Sequence, residues 1–496
     1  MDRNFGILLP ISSLPSGEGI GTLGKEAYNF IDFLSEAGGK IWQVLPLNPT
    51  NYGDSPYQSC SSNALNYYFI DLQMLVEEGL LKKSEIDLKE LSDDPLRINY
   101  GRQFWYKVNL LKKAFSRFDG GDEFRTFVER GEYSDFAVFM AIKEKFNHAP
   151  WTEWEELRNY DEKTVKKFIK QDQNGYLFWQ FTQFIFLKQW KKLKEYATLR
   201  GVQIMGDIPL YIAYDSVEVW KYGNKLFKVD EDRRLKFVAG CPPDAFSADG
   251  QLWGNPVYNW EVMRGDGFKW WKKRIDDCLT LVDILRIDHF RGFDRYWEVP
   301  AGDSTARYGL WEDGPKEELF EGILNYKIVA EDLGVLDEGV YRLMKNVGYP
   351  GMKVLEFAFD GSPDNGHKPS NYTENFVCYT GTHDNMPLRQ YIDDLSEEER
   401  LRFVKDVEAE SGLLGLCAKT ETSEELCLSV VNLAFASKAN TVIIPLWDLL
   451  ALGGDARINL PSTVSDKNWS RRFLKEDLSE KLKKYLKKVS KTAKRA

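Results

Sequence analysis

Histidine and cysteine are both scarce in this chain. Its four histidines (His148, His289, His367 and His383) form no HExxH pair, which excludes the two-imidazole helix of a zinc protease. Its six cysteines (Cys60, Cys241, Cys278, Cys378, Cys417 and Cys427) are scattered without a CxxC. That pattern fits neither a zinc knuckle nor a disulfide framework and suits a reducing, cytoplasmic compartment. There is no signal peptide and no apolar run of membrane-spanning length, so no membrane partner is expected. Positive charge is in deficit: the formal net charge of −10 argues against general binding to nucleic acid or anionic lipid. Gly17-Glu18-Gly19-Ile20-Gly21 is GxGxG and does not match the phosphate-binding GxGxxG in context.

The exception to the charge deficit is the tail. From Lys481 onward, eight of sixteen residues are Lys or Arg, with Leu482, Tyr485, Leu486 and Val489 at helical spacing. This reads as a terminal amphipathic helix with a solvated basic face, in preference to a partner-binding tail.

What the chain has in abundance is aromatic side chains: 15 Trp, 24 Tyr and 30 Phe. Most are expected in the core, with some serving as platforms for sugar rings. Eight strand candidates stand out by apolar and β-branched character, at residues 6–9, 41–45, 202–205, 284–287, 327–330, 353–357, 376–379 and 441–444. Most are followed by a Gly- or Pro-bearing stretch and then a helical pattern, such as 26–36 or the helix opened by a Thr422-to-Glu425 capping box. Eight strand–helix alternations predict an α/β fold, a single (β/α)8 TIM barrel spanning 1–496, over the rival doubly wound sheet. Long gaps predict two insertions. Residues 66–175 read as a helical subdomain, with helices at 102–118, at 135–146 capped by Ser134, and at 162–170; a further helix over 176–199 returns to the barrel. Residues 211–271 read as loop-rich, with an active-site lid.

In a barrel of this kind functional groups sit at the carboxyl ends of strands. The fourth candidate ends Leu285-Arg286-Ile287-Asp288-His289-Phe290-Arg291-Gly292, placing Arg286 and Asp288 on one face of an apolar strand. The guanidinium is expected to hold that carboxylate ionised. Asp207 follows the third strand, Glu331 and Asp332 the fifth, His383 and Asp384 the seventh. A metal site is disfavoured because Arg286 would repel a divalent cation and Asp288 and His289 should face opposite sides of a strand. Two carboxyls in different electrostatic settings fit glycosidic-bond chemistry: an ionised Asp288 to attack, and a buried, protonated Glu331 to donate to the leaving oxygen. Asp384 and His383 are then placed to bond ring hydroxyls.

These blocks, Arg286 to Gly292, Ala330-Glu331-Asp332-Leu333-Gly334 and Gly381-Thr382-His383-Asp384-Asn385, resemble the signatures of 4-α-glucanotransferases (amylomaltases or disproportionating enzymes, glycoside hydrolase family 77 of the α-amylase superfamily). Gly53-Asp54-Ser55-Pro56-Tyr57-Gln58, Gly206-Asp207-Ile208-Pro209, Pro242-Pro243-Asp244-Ala245-Phe246-Ser247, Gly250-Gln251-Leu252-Trp253-Gly254-Asn255-Pro256 and Ala456-Arg457-Ile458-Asn459-Leu460-Pro461 look like family segments in family order. The resemblance implies a barrel without a C-terminal β-sandwich and no cofactor. It implies Asp288 as nucleophile, Glu331 as general acid/base and Asp384 as transition-state stabiliser. Arg286 and His383 would be partners of the catalytic acids, Tyr57, Asp207 and Asn459 would line the donor site, Ser55 would bind substrate, Phe246 and Trp253 would meet acceptor sugars, and Tyr52 would belong to a more distant glucan-binding surface. Ala245 stands where many relatives carry tyrosine. The implied activity moves a segment of an α-1,4-glucan to the 4-hydroxyl of glucose or a maltooligosaccharide, in a monomer or homodimer; a retaining hydrolase and a silent glucan-binding protein are the alternatives.

Overall fold

The computed structural model describes residues 3–243, 248–334 and 336–495. Its strands are β1 (Asn4–Leu8), β2 (Ile41–Gln43), β3 (Gln203–Ile208), β4 (Phe237–Cys241), β5 (Gln251–Pro256), β6 (Ile284–Ile287), β7 (Arg295–Pro300), β8 (Leu310–Asp313), β9 (Ile328–Ala330), β10 (Gly351–Val354), β11 (Phe376–Tyr379) and β12 (Thr441–Pro445). Eight of these form one parallel sheet in the order β10-β11-β12-β1-β2-β3-β6-β9. The ring closes where the Ala330 N–H donates to the Pro350 carbonyl at 2.9 Å. With helices between the strands this is the (β/α)8 barrel. Its strands are short, apolar and buried on both sides, as parallel strands under a helical layer must be. Gly6 is required on β1: a Cβ there would lie 2.2 Å from the Ile41 carbonyl of the neighbouring strand.

The sixth barrel strand lies earlier than expected, at Gly351–Val354 in place of 353–357, because Leu355–Phe357 winds into a 3-10 turn. The Asp332 carboxylate accepts the Met352 N–H at 2.6 Å and pins the start of that strand. β3 is longer than expected and takes in Asp207.

Between β2 and β3 the chain is helical, including Val108–Phe115, Gly121–Arg130, Ser134–Lys145 and Glu162–Gln171, before Gln173–Leu199 returns to the barrel. Ser134 does not cap its helix; Tyr133 holds the cap position and the Ser134 hydroxyl pairs with the Tyr176 hydroxyl at 2.7 Å. The helix expected at 102–118 is interrupted by a π-turn, Gln103–Lys107, where buried Lys107 pairs with Glu18 at 2.9 Å. After β3 lies an element absent from the sequence reading: a four-stranded antiparallel sheet, β5-β4-β7-β8, that joins the stretch after β3 to the stretch after β6.

The chain ends in the amphipathic helix Glu480–Thr492, burying Leu482 and Leu486. Just beyond it, the Arg495 guanidinium donates to the carbonyls of Asn4, Phe435, Ser437, Ala439 and Asn440 at 2.7–3.2 Å. These carbonyls surround the starts of β1 and β12, so the cation seals the amino-terminal end of the barrel. The opposite end carries the site. Among the described residues no helix is long and apolar enough to cross a membrane.

Candidate active site

Register brings the first pair of charges together. Asp207 on β3 lies directly opposite Arg286 on β6. Arg286 Nη1 donates to Asp207 Oδ2 at 2.6 Å and Nη2 to Asp288 Oδ1 at 2.9 Å. The guanidinium side chain is 4% exposed, Asp207 0% and Asp288 28%. A cation buried this deeply costs several kcal/mol in lost hydration, about what two charge-assisted partners offset. Tyr57 donates its hydroxyl to the same Asp207 oxygen at 2.7 Å. Burial and then the Asp207 charge hold that phenol well above its ordinary pKa, so it remains a donor. Asp207 is thus covered, and acts on the mouth through Tyr57 and Arg286.

The second carboxyl arrives from the next strand. The Glu331 N–H donates to the Ile287 carbonyl, and the Phe290 N–H to the Glu331 carbonyl, each at 3.0 Å. β6 itself stops at Ile287, and His289 turns left-handed at φ 49°. This overturns the expectation of Asp288 and His289 on opposite faces of a strand: the reversal aims the His289 N–H at Glu331 Oε2 (2.6 Å) and its ring edge-on to Trp253 (4.9 Å between centroids). Glu331 Oε1 accepts from the Leu333 N–H at 2.8 Å.

The two carboxyls are tuned apart in the expected order, though Asp288 lies higher than an ordinary carboxylate. Burial raises Glu331 to about 8, assisted by the Asp288 charge and opposed by Arg286 and its two backbone donors. Burial also raises Asp288, to about 6, against the pull of Arg286. The guanidinium therefore does not hold Asp288 at an ordinary carboxylate value; it keeps it below Glu331. At neutral pH the lower acid is ionised and the upper one protonated, with the two titrations belonging to the pair. His289 is pushed by burial down to about 3 and stays neutral.

The third carboxyl sits in the turn after β11. Asp384 Oδ1 accepts from Asn459 Nδ2 at 2.7 Å and lies 3.5 Å from His383 Nε2. Arg457 donates to the Asp384 carbonyl at 3.1 Å. The His383 ring stacks on Tyr57 (4.9 Å, 13°), and Trp469 leans on both at 5.6 and 5.8 Å. Two sequence segments meet behind this wall: Gln58 and Asn255 exchange hydrogen bonds at 3.0 and 3.3 Å, and Asn255 also donates to the Ile212 carbonyl at 3.0 Å.

Asp288, Glu331, Asp384, Arg286, His383, Tyr57, Asp207, Asn459 and Trp253 therefore gather at one barrel mouth. Ser55 accepts the Tyr57 N–H at 3.2 Å and so shapes that loop. Asp332 does not join them: it faces β10, as described above. Tyr52 is 71% exposed on the outer surface. Phe246 and Ala245 lie outside the described residues. Trp469, Tyr211, Gln251 and Arg457 escaped the sequence reading as site residues; Trp253 Nε1 donates to Gln251 Oε1 at 3.2 Å, and Tyr211 packs 6.0 Å from Trp253. Most tryptophans, including Trp42, Trp151, Trp179, Trp190, Trp220 and Trp271, are fully buried and serve the core.

A (β/α)8 barrel whose mouth gathers three carboxyls, one of them paired with a buried guanidinium and another held by backbone N–H groups, is the arrangement of an enzyme of glycosidic-bond chemistry. The sequence profile of the family described as 4-alpha-glucanotransferase matches residues 9–477. The 4-alpha-glucanotransferase of Clostridium butyricum is 45% identical over 475 residues, covering 93% of this chain and 94% of that protein. That of Aquifex aeolicus is 44% identical over 496 residues, covering 98% of each. Among solved structures, the amylomaltase from Streptococcus agalactiae in complex with acarbose superposes with a TM-score of 0.93 at 38% identity, covering 100% of both chains. The chain belongs to the 4-alpha-glucanotransferase family and is a glycosyltransferase acting on α-1,4-glucans.

Proposed function

We propose that Asp288 is the nucleophile, Glu331 the general acid and base, and Asp384 the group that stabilises the developing oxocarbenium ion. The supporting observation is the Glu331 carboxyl held by the N–H of the residue next to Asp288, with Arg286 touching one acid and not the other. Asp288 attacks the anomeric carbon of an α-1,4-linked glucan while Glu331 protonates the departing oxygen. The covalent β-glucosyl ester forms and the reducing-end fragment leaves. Glu331, now a carboxylate, takes the proton of an incoming 4-hydroxyl; that oxygen displaces Asp288 and restores the α-linkage. Two inversions give retention.

Tyr57, Arg286 and His383 are placed to bond the donor ring, with Asn459 holding Asp384 at its side and Ser55 and Asp207 supporting them. Trp253 and Phe246 serve the acceptor side, in a lid within 243–260 that keeps water from the ester, and Tyr52 binds glucan further out. Glucose and maltooligosaccharides are the acceptors. In this reading 66–175 is an inserted helical subdomain and 211–271 a loop-rich one. The protein works in the cytoplasm, which six scattered cysteines without a CxxC suit, as a monomer or homodimer. Incubation with maltotriose tests the activity. Redistribution into longer and shorter oligosaccharides with little net gain of reducing ends is expected, and hydrolysis to glucose and maltose alone would overturn transfer.

A further inference from the structure

The turn bearing His383 and Asp384 runs from the end of β11 to the helix Leu388–Asp394. A buried acid ties its two ends: Asp448 accepts from the Thr380 hydroxyl at 2.5 Å and from the Leu388 N–H at 2.8 Å. Its middle is held by Asn385, whose Oδ1 accepts both the N–H (2.9 Å) and the hydroxyl (2.8 Å) of Thr382, while Thr382 Oγ1 accepts the Asp384 N–H at 3.3 Å. Two donors on its oxygen fix which way the Asn385 amide points, so its NH2 faces away from Thr382. There it meets Glu356 Oε1 at 2.9 Å.

Glu356 follows β10, is 8% exposed, and its backbone N–H donates to the Thr380 carbonyl at 3.0 Å. Its Oε2 is buried with no hydrogen-bond partner among the described residues. Gly381 lies over it in ordinary contact: a Cβ there would stand 3.7 Å from this oxygen, and, more tightly, 3.2 Å from Asn385 Cβ. A carboxyl that is buried, has no cation in contact and is half satisfied costs stability, so an apolar side chain of equal volume would serve the fold better. We propose that Glu356 is a positioning residue for the reaction: through Asn385 and Thr382 it sets the turn so that Asp384 stands where Asn459 and the developing cation meet it. This rests on the role assigned to Asp384 above.

The test compares Glu356→Leu, Glu356→Gln and Asn385→Ala in maltotriose disproportionation. Glu356→Leu removes the acceptor at similar volume. It is expected to lower kcat about 10–10²-fold, as a misplacement near 1 Å does, with KM within about twofold, since the lost alignment matters only in the transition state. Glu356→Gln keeps an oxygen for Asn385 and should restore kcat to within about threefold of the parent. Asn385→Ala should match the Leu variant, and the double variant Glu356→Leu/Asn385→Ala should be no worse than either, since both break one link. A folded Glu356→Leu with parental kcat overturns the proposal, as do an equal loss in the Gln variant, a loss confined to KM, or additive losses. If Glu356→Leu does not fold, Asn385→Ala alone decides by the same kcat and KM criteria. Asp384→Asn run in parallel separates the two readings: if it is fully active, the assignment of Asp384 fails, whereas if it is inactive beside a fully active Glu356→Leu, only the present inference fails.

Discussion

Replacing Arg286 by methionine removes the cation between Asp207 and Asp288 and keeps an unbranched apolar stem. Both contacts are short, 2.6 and 2.9 Å, and an opposite charge so near lowers a carboxyl by about 1–3 units. Asp288 keeps 28% of its side-chain surface, so solvent screening favours the lower part of that range, about 1–2 units. Asp288 stands near 6 with the guanidinium present. Attack needs it ionised, so activity is lost as pH falls through this value, and in Arg286→Met that acidic limb moves up. Glu331 also loses an opposing charge, but Arg286 does not touch it, so the basic limb moves less. The window between them narrows, its maximum falls and the optimum shifts alkaline. Asp207, left buried without its partner, is expected to cost about 3–5 kcal/mol of stability, so unfolding midpoints are measured alongside. The assay is kcat/KM for maltotriose from pH 5 to 9. A folded Arg286→Met enzyme whose acidic limb stays with the parent's refutes the reasoning.

Glu331→Gln removes the acid, so it should retain turnover only on donors with good leaving groups and lose the basic limb near pH 8; equal loss on every donor would remove the acid role. Trp253→Ala opens the acceptor side and should raise the ratio of glucose and maltose release to oligosaccharide redistribution, read by chromatography; an unchanged ratio counts against a shielding role. Stability should fall from pH 6.5 to 8.5. Burial raises Glu356 and Asp448 to about 7 and Glu331 to about 8, while it depresses His289 to about 3 and His367 to about 4. Unfolded carboxyls titrate at about 4 and imidazoles at about 6.5. Between these values the acids make the native state bind extra protons and the histidines make it bind fewer, so the effects oppose. Above about 6.5 only the acids remain; the native state then binds more protons than the unfolded one and stability declines with pH. A urea midpoint that rises over that interval contradicts this.

The barrel was legible because its strands are short apolar runs cut off by Gly, Pro and charged residues; those at Ile284–Ile287 and Phe376–Tyr379 needed no adjustment. The sixth strand slipped because Val354 to Phe357 continues the apolar pattern, while its true start is set by Asp332 reaching across from the end of β9. The antiparallel sheet was hidden because its partners lie on either side of β6, and β7 and β8 carry Trp297, Glu298, Trp311 and Glu312 in place of a plain alternation. At the site, residues at strand ends were readable from position. Trp469 was not: it sits outside any strand in a left-handed conformation at φ 61°, and only the folded chain brings it to Tyr57. The tuning of Asp288 also exceeded what sequence shows, since an i,i+2 spacing reveals the guanidinium and not the depth of burial that opposes it.

The central claim is that Asp288 becomes covalently bonded to sugar. Glu331→Gln, incubated with an activated maltooligosaccharide donor such as an α-glycosyl fluoride, should form the ester and release it slowly. Peptide mass spectrometry after acid quench should find the glycosyl mass on the peptide holding Asp288, and none in the Asp288→Ala, Glu331→Gln double variant. A glycosylated peptide that excludes residue 288 would contradict the account.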